Sequence, residues 1–183
     1  METIFTERIF YSTPTKLPPK FIGEIIKEIE ESKQEESCTG GNNKVDKTVR
    51  SSKHTWFFWD QWIAGICYNL MIAANKDYFH YDLDHFDSQI QATIYEEGDH
   101  YDWHTDPLPK DDGKERKLSM SLLLNEDYEG GELELELKPW YTKTKPETGM
   151  AVIFPSWIPH RVLPVTKGKR ISLVAWMNGP QWK

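Results

Sequence analysis

Four His-x-Asp triplets carry the most chemically suggestive pattern in this 183-residue chain: His80-Tyr81-Asp82, His85-Phe86-Asp87, His100-Tyr101-Asp102 and His104-Thr105-Asp106. Side chains two apart on a β-strand project to one face, so each triplet can present an imidazole and a carboxylate together. A second imidazole would complete the two-His, one-carboxylate set that holds iron(II) on one face and leaves the other open for cosubstrate and oxygen. The 6 His and 12 Asp of the chain give roughly 0.4 such triplets under uniform mixing, and the excess reflects an Asp-rich stretch. The triplet by itself therefore does not choose among the four. Strand geometry leaves one ambiguity in particular, because His100 and Asp102 would share a face with His104 and Asp106.

The order of the surrounding motifs supplies context. The segment Tyr95-Glu-Glu-Gly98-Asp-His-Tyr101-Asp-Trp103-His104-Thr-Asp106 places a glycine turn between two strands, with the last triplet in the second. Gly130-Gly131-Glu132-Leu133 follows, then Gly149-Met-Ala-Val-Ile-Phe154-Pro155, then His160, and Arg170 ten residues after it. This series resembles the iron(II)/2-oxoglutarate dioxygenases of the prolyl 4-hydroxylase type, including the bacterial PKHD-type hydroxylases. The likeness spans about residues 89–177, roughly half of the chain.

The resemblance implies a mainly β fold with N-terminal helices, a double-stranded β-helix (jelly roll, cupin-like). It also implies Fe(II) with 2-oxoglutarate and O2 as cosubstrates, and ascorbate as a candidate accessory. The implied reaction splits 2-oxoglutarate oxidatively to succinate and CO2 and hydroxylates an unactivated C–H bond. Carried over residue by residue, His104, Asp106 and His160 match the metal-binding, catalytic positions. Arg170 matches the basic residue that pairs with the distal carboxylate of 2-oxoglutarate. Tyr95 matches a tyrosine that hydrogen-bonds the same carboxylate, and Trp176 an aromatic lining the pocket. One departure is clear: Leu123 stands where some animal relatives carry a tyrosine, which shifts weight onto Tyr95. The side-chain chemistry agrees, since an arginine is a planar, always-charged fork suited to a carboxylate. Residues 170, 172, 174 and 176 would share one strand face, with Ser172 and Val174 small enough to leave room between Arg170 and Trp176.

Other residues read more plainly. His54, His80, His85 and His100 are expected as solvated loop or strand residues. The Trp56-Phe57-Phe58-Trp59 run reads as core, with a peptide-binding wall as the minority view. The charged run from Lys110 to Lys117 reads as a solvated loop and, following Asp106 directly, as a candidate lid. Arg50, at the start of the strand after the first long loop, is expected to reach the pocket rim.

These residues need elements to hold them. Residues 17–33 read as a helix, with Phe21, Ile22, Ile25, Ile26 and Ile29 on one face and Pro18 and Pro19 at its start. Residues 34–48 read as a mobile loop around Gly40, Gly41, Asn42 and Asn43. A strand is expected over Val49 to Trp59, followed by a second helix with Asp60 as N-cap and Trp62, Ile63, Ile66, Cys67, Leu70 and Met71 at helical spacing. Seven short strands are expected from residue 89 to 177: Gln89–Tyr95, His100–Asp106, Lys117–Leu124, Gly131–Leu137, Met150–Phe154, Arg161–Val165 and Lys169–Met177. Within 132–137 the leucines should face a core while Glu132, Glu134 and Glu136 face water. Two helices before seven strands suggest an antiparallel sandwich or barrel with helices outside. One domain over 1–183 is expected, with supporting helices and loop over about 17–75 and a jelly-roll core over about 88–178.

Composition narrows partners. The chain has 8 Trp, 8 Tyr and 8 Phe, too many for a solvated, disordered segment. With 22 Lys+Arg against 29 Asp+Glu the formal net charge is -7, which argues against nucleic acid or an anionic membrane as a partner. Two cysteines, Cys38 and Cys67, are too few for a disulfide scaffold. The N-terminus shows no signal-peptide pattern and the apolar stretch from Trp62 to Ala74 is too short to span a bilayer, so a cytoplasmic setting is expected. By family analogy the substrate is a prolyl residue of a peptide or protein, with a free amino acid or other small molecule as the alternative. Two rival classes are a non-catalytic cupin-like binding module and a zinc hydrolase using the same ligands. The first sits poorly with three ligands and Arg170 together; the second leaves Arg170 unexplained.

Overall fold

The computed structural model describes residues 10–38, 45–107, 113–137 and 140–182. In chain order the strands of the first half are β1 (Tyr11–Pro14), β2 (Glu35–Glu36), β3 (Arg50–Ser51), β4 (Lys53–Phe58), β5 (His85–Phe86), β6 (Gln89–Tyr95) and β7 (His100–His104). Then come β8 (Lys114–Leu123), β9 (Glu129–Gly130), β10 (Leu133–Leu137), β11 (Trp140–Thr144), β12 (Met150–Pro155), β13 (His160–Val162), β14 (Val165–Lys167) and β15 (Arg170–Pro180). Two helices, α1 (Pro19–Glu31) and α2 (Trp62–Ala74), precede most of them.

The strands form a major sheet in the order β1-β12-β8-β15-β6-β4-β2, with β5 added beside β15. A minor sheet runs β11-β10-β13-β7-β3, and β14 pairs with β9 in a separate ribbon. All of these pairings are antiparallel.

Strand alternation divides the interior into two layers. On β15, Ile171, Leu173, Ala175 and Met177 join the core that includes Ile25 and Ile29 of α1 and Ile63, Cys67 and Met71 of α2. The intervening Arg170, Ser172, Val174 and Trp176 line a cavity on the opposite face. A second core lies between the sheets, where Tyr95, Val152 and Phe154 of the major sheet meet Leu133, Leu135 and Val162 of the minor one. The helices thus back one face of the major sheet and leave the other for chemistry.

Helix α1 follows its isoleucines, with Pro19 in the first turn, where a missing N–H costs nothing. Ser32 ends it, its hydroxyl donating to the Glu28 carbonyl at 2.7 Å. Phe21 departs from the expected face and is 46% exposed. Helix α2 is not capped by Asp60: Gln61 takes the N-cap position without a side-chain cap bond. Its side-chain oxygen turns back to accept from the Phe58 N–H at 2.6 Å.

Several expectations give way to tertiary pairing. The stretch expected as one strand over 49–59 splits, β3 joining the minor sheet and β4 the major sheet. Of the Trp56–Trp59 run only Phe57 is core, because Trp56 and Phe58 point to the opposite face of β4. His54, expected to be solvated, is buried on that same face and hydrogen-bonds Ser37 at 3.1 Å. Glu134, expected to face water, is buried between Arg161 at 2.6 Å and Lys143 at 3.0 Å on the strands flanking β10. Within the loop expected over 34–48, β2 forms at Glu35–Glu36, while positions 39–44 lie outside the described residues. Of the run from Lys110 to Lys117, positions 110–112 lie outside the described residues and the rest belongs mainly to β8, with Lys117 buried. Among the described residues no helix is long and apolar enough to cross a membrane.

Gly130 is the tightest backbone approach in the β9–β14 ribbon: its φ is +73°, and a Cβ there would stand 2.4 Å from the Pro164 carbonyl oxygen. Gly130→Ala should therefore destabilise by about 1–3 kcal/mol or more. Gly23→Ala, in open space on α1, should be neutral or stabilising by up to about 1 kcal/mol. Urea unfolding of both variants checks this, and similar midpoints would count against the close approach.

Candidate active site

His104 ends β7 and His160 begins β13, and antiparallel register sets them directly opposite each other. Their ring centroids are 4.1 Å apart. Each ring is oriented from behind, His104 Nδ1 lying 2.8 Å from the Asp102 carbonyl and His160 Nδ1 2.9 Å from that of Ile158. A carbonyl only accepts, so in the neutral rings Nδ1 carries the proton and Nε2 offers its lone pair to the space between them.

Asp106 supplies the third donor. It lies two residues past the end of β7, so the expected strand to Asp106 stops at His104. Its N–H donates to the Ser156 carbonyl at 2.9 Å. Its Oδ2 accepts from Ser119 Oγ at 2.6 Å and Trp176 Nε1 at 3.0 Å. That oxygen stands 3.5 Å from His160 Nε2, and Oδ1 stands 3.9 Å from His104 Nε2. Ligand atoms of the three residues lie within 4.8 Å of one another, and no other such group occurs among the described residues. Two imidazole nitrogens and one carboxylate suit iron(II), and zinc accepts the same donors.

Burial, followed by the nearness of His160, lowers the His104 pKa to about 3 even though Asp106 favours the cation. Burial pushes Asp106 upward, but the two histidines and the bonds from Ser119 and Trp176 outweigh it and hold the acid at about 2. Near neutral pH His104 is thus unprotonated and Asp106 ionised, the forms that bind a cation.

The cluster sits in a cavity of about 610 Å³ lined from both sheets. Tyr101 stacks on His104 with centroids 3.5 Å apart, and Phe154 packs edge-on against His160 at 4.7 Å. Arg170 lines the same cavity and is 2% exposed. Its guanidinium donates to Ser172 Oγ at 2.8 Å and Ser121 Oγ at 3.5 Å, while Nε has no partner. No carboxylate pairs with it among the described residues. A buried cation held only by hydroxyls is suited to receiving an anion. Tyr95 is its cross-strand partner, with the guanidinium carbon 5.5 Å from the ring centroid.

The structure brings His104, Asp106, His160, Arg170, Tyr95 and Trp176 around one cavity. His100 and Asp102 stay apart from it: His100 faces the Gly98 and Thr48 carbonyls, and Asp102 accepts from the Trp103 N–H. Sequence reasoning missed Ser119, which holds Asp106, and Tyr128, which together with Arg170 packs beside Gly131. It also missed Arg116, which stacks 3.7 Å over Trp176 and is tied to Asp87 at 3.0 Å. For Ser119 a signal existed: Ser119 and Ser121 alternate with Leu118, Met120 and Leu122 in a buried strand, marking a polar face inside the protein.

Residues 90–178 match the family model of the 2OG-Fe(II) oxygenase superfamily. A PKHD-type hydroxylase of Alteromonas mediterranea is 38% identical over 91 residues, covering 46% of this chain and 40% of that protein. A PKHD-type hydroxylase of Hyphomonas neptunium is 43% identical over 87 residues, covering 45% and 39%. The matched segment thus spans about two fifths of the length of these relatives. Among solved structures, a Pseudomonas putida prolyl-4-hydroxylase superposes with a TM-score of 0.72 at 26% identity, over 92% of this chain and 91% of that one. A Trichoplax adhaerens prolyl hydroxylase, solved with a hypoxia inducible factor peptide fragment, shares the fold with a TM-score of 0.76 at 19% identity, over 92% and 82%. The two facing sheets are the jelly roll of these enzymes. Over residues 90–178, just under half of its length, the chain is similar to the 2OG-Fe(II) oxygenase superfamily, and its relatives there are PKHD-type hydroxylases.

Proposed function

We propose that this chain is an Fe(II)- and 2-oxoglutarate-dependent hydroxylase whose substrate is a prolyl residue of a peptide or protein. The observation that carries the reading is the three-donor cluster sharing one cavity with a buried arginine that has no acid partner among the described residues. The prolyl substrate is supported by the kinship to the Pseudomonas putida prolyl-4-hydroxylase, and the peptide form by the fragment bound to the Trichoplax adhaerens neighbour.

His104 and His160 hold the metal through Nε2, and Asp106 through the carboxylate that Ser119 and Trp176 orient. Arg170 receives the distal carboxylate of 2-oxoglutarate, with Ser121, Ser172 and Tyr95 beside it. Tyr101, Phe154 and Trp176 wall the metal side of the cavity and limit water there. Iron, when bound, supplies the oxygen chemistry that converts 2-oxoglutarate to succinate and CO2 and oxidises the substrate C–H bond.

Three outcomes test this reading. Anaerobic loading with Fe(II), ascorbate and 2-oxoglutarate, followed by oxygen, should release succinate, and Pro-containing peptides should gain about 16 Da. No succinate from the wild-type protein would sink the enzyme assignment; a mass gain only on free amino acids would leave the chemistry and move the substrate. Arg170→Ala should weaken 2-oxoglutarate binding roughly tenfold or more while changing metal affinity less than about threefold. An equal loss of both in calorimetry would make Arg170 structural.

The third outcome concerns acid. In the metal-free protein an unfolded chain takes up the His104 proton below about pH 6.5, whereas the folded chain resists it down to about 3. The unfolded state therefore binds more protons in that window and stability falls as pH falls, by on the order of 1–2 kcal/mol between pH 7 and 5. Asp106, held at about 2, adds a loss of the same sign at lower pH. Relative to His104→Gln, which does not titrate there, the wild type should lose on the order of 1–2 kcal/mol between pH 7 and 5, read from denaturant midpoints. Parallel curves would refute the buried neutral imidazole.

A further inference from the structure

A second buried guanidinium faces the cavity, and neither iron nor 2-oxoglutarate uses it. Arg50, in β3, is 8% exposed and lies over the Tyr101 ring at 4.5 Å from its centroid. Tyr101 in turn stacks on His104, so Arg50 stands one ring removed from a candidate metal ligand. Its hydrogen bonds go to neutral acceptors: Nε to Ser52 Oγ at 3.1 Å, Nη2 to Gln91 Oε1 at 2.9 Å and Nη1 to the Cys38 carbonyl at 3.4 Å. No carboxylate pairs with it among the described residues.

The acids nearest this end of the cavity have other partners. Glu36 pairs with Lys47 at 3.2 Å and Glu35 with Lys33 at 3.0 Å. Asp99 accepts from Ser51 Oγ and the Glu96 N–H. His54, on the same face, is kept from protonation first by burial and then by Arg50 itself. A buried cation without a counter-charge is costly, and three bonds leave part of its five-donor fork free. Both facts point to an anion that arrives with a ligand.

We propose that Arg50 is a specificity residue that binds a carboxylate of the substrate beside the metal site. The inference deepens the hydroxylase reading and rests on it for the neighbouring sites. Arg170 serves the cosubstrate; Arg50 of β3 shares the cavity lining with His54 and Trp56 of β4 and Gln91 of β6. The carboxylate can be the α-carboxylate of a free amino acid or an acidic side chain flanking a prolyl residue.

Calorimetry separates these sources, using Zn(II) in place of iron and saturating 2-oxoglutarate so that Arg170 is already engaged. The probes are L-proline against L-prolinamide, and acetyl-Ala-Pro-Glu-Ala-amide against its Gln counterpart. At least one acid should bind roughly tenfold or more tightly than its matched amide, and the pair showing the preference identifies the source. Arg50→Gln should erase the preference and Arg50→Lys should keep part of it; if the Gln variant does not fold, a preference reduced in the Lys variant supports the proposal and an undiminished one overturns it. Equal affinities within both pairs, no binding of any probe, or a preference surviving Arg50→Gln also overturns it. Failure of 2-oxoglutarate itself to bind counts instead against the hydroxylase reading, because the acid-amide comparison needs no turnover.

Discussion

Asp106 belongs to one sheet by its chain position and to the other by its hydrogen bonds. It follows β7 of the minor sheet, yet Ser119 of β8 and Trp176 of β15 hold its Oδ2 from the major sheet. Ser156, just past β12, takes its N–H and also touches Ser119, at 2.9 Å. A charge-assisted pair of bonds to a buried carboxylate is strong and geometrically specific. This one group therefore fixes the spacing between the sheets where His104 and His160 meet. The cluster is preorganised because its carboxylate is held by two elements that are themselves packed on the helices.

The same arrangement explains why the cavity tolerates so much buried polarity. Leu118, Met120 and Leu122 of β8 and Ile171, Leu173, Ala175 and Met177 of β15 form an apolar face in one core with α1 and α2. That larger core can carry a second face bearing Arg170, Ser119, Ser121 and Ser172 with little apolar burial of its own. Buried polar groups cost stability unless bonded, and here hydroxyls bond most of them. The two guanidiniums, Arg50 and Arg170, remain short of negative charge among the described residues. Incomplete compensation at both places is where ligands complete the structure.

Much of the site was legible before the fold was known, for identifiable reasons. His104, Asp106, His160 and Arg170 lie in an ordered series of motifs, and β-strand alternation alone placed residues 170, 172, 174 and 176 on one face. The exact register of His104 against His160 was not legible, since cross-strand pairing is set by distant turns and packing. Trp176 was expected to line the pocket, but its bond to Asp106 depends on two strands meeting in space. Glu134 was misread because alternation tells which face a residue takes and not whether Arg161 and Lys143 will cover that face. Trp56 and Phe58 were misread as core for the converse reason: apolar character says nothing about whether the facing element is a partner sheet or an open cavity. The Asp60 cap failed locally, where Gln61 offered the chain a competing bond to Phe58.

The central claim is that His104, Asp106 and His160 together bind iron. X-ray absorption at the iron edge of the Fe(II)-loaded protein tests it most directly. A shell of nitrogen and oxygen donors containing two imidazoles, reduced to one in His160→Ala, is the predicted result. A shell that is unchanged in that variant, or that contains sulfur, would contradict the account.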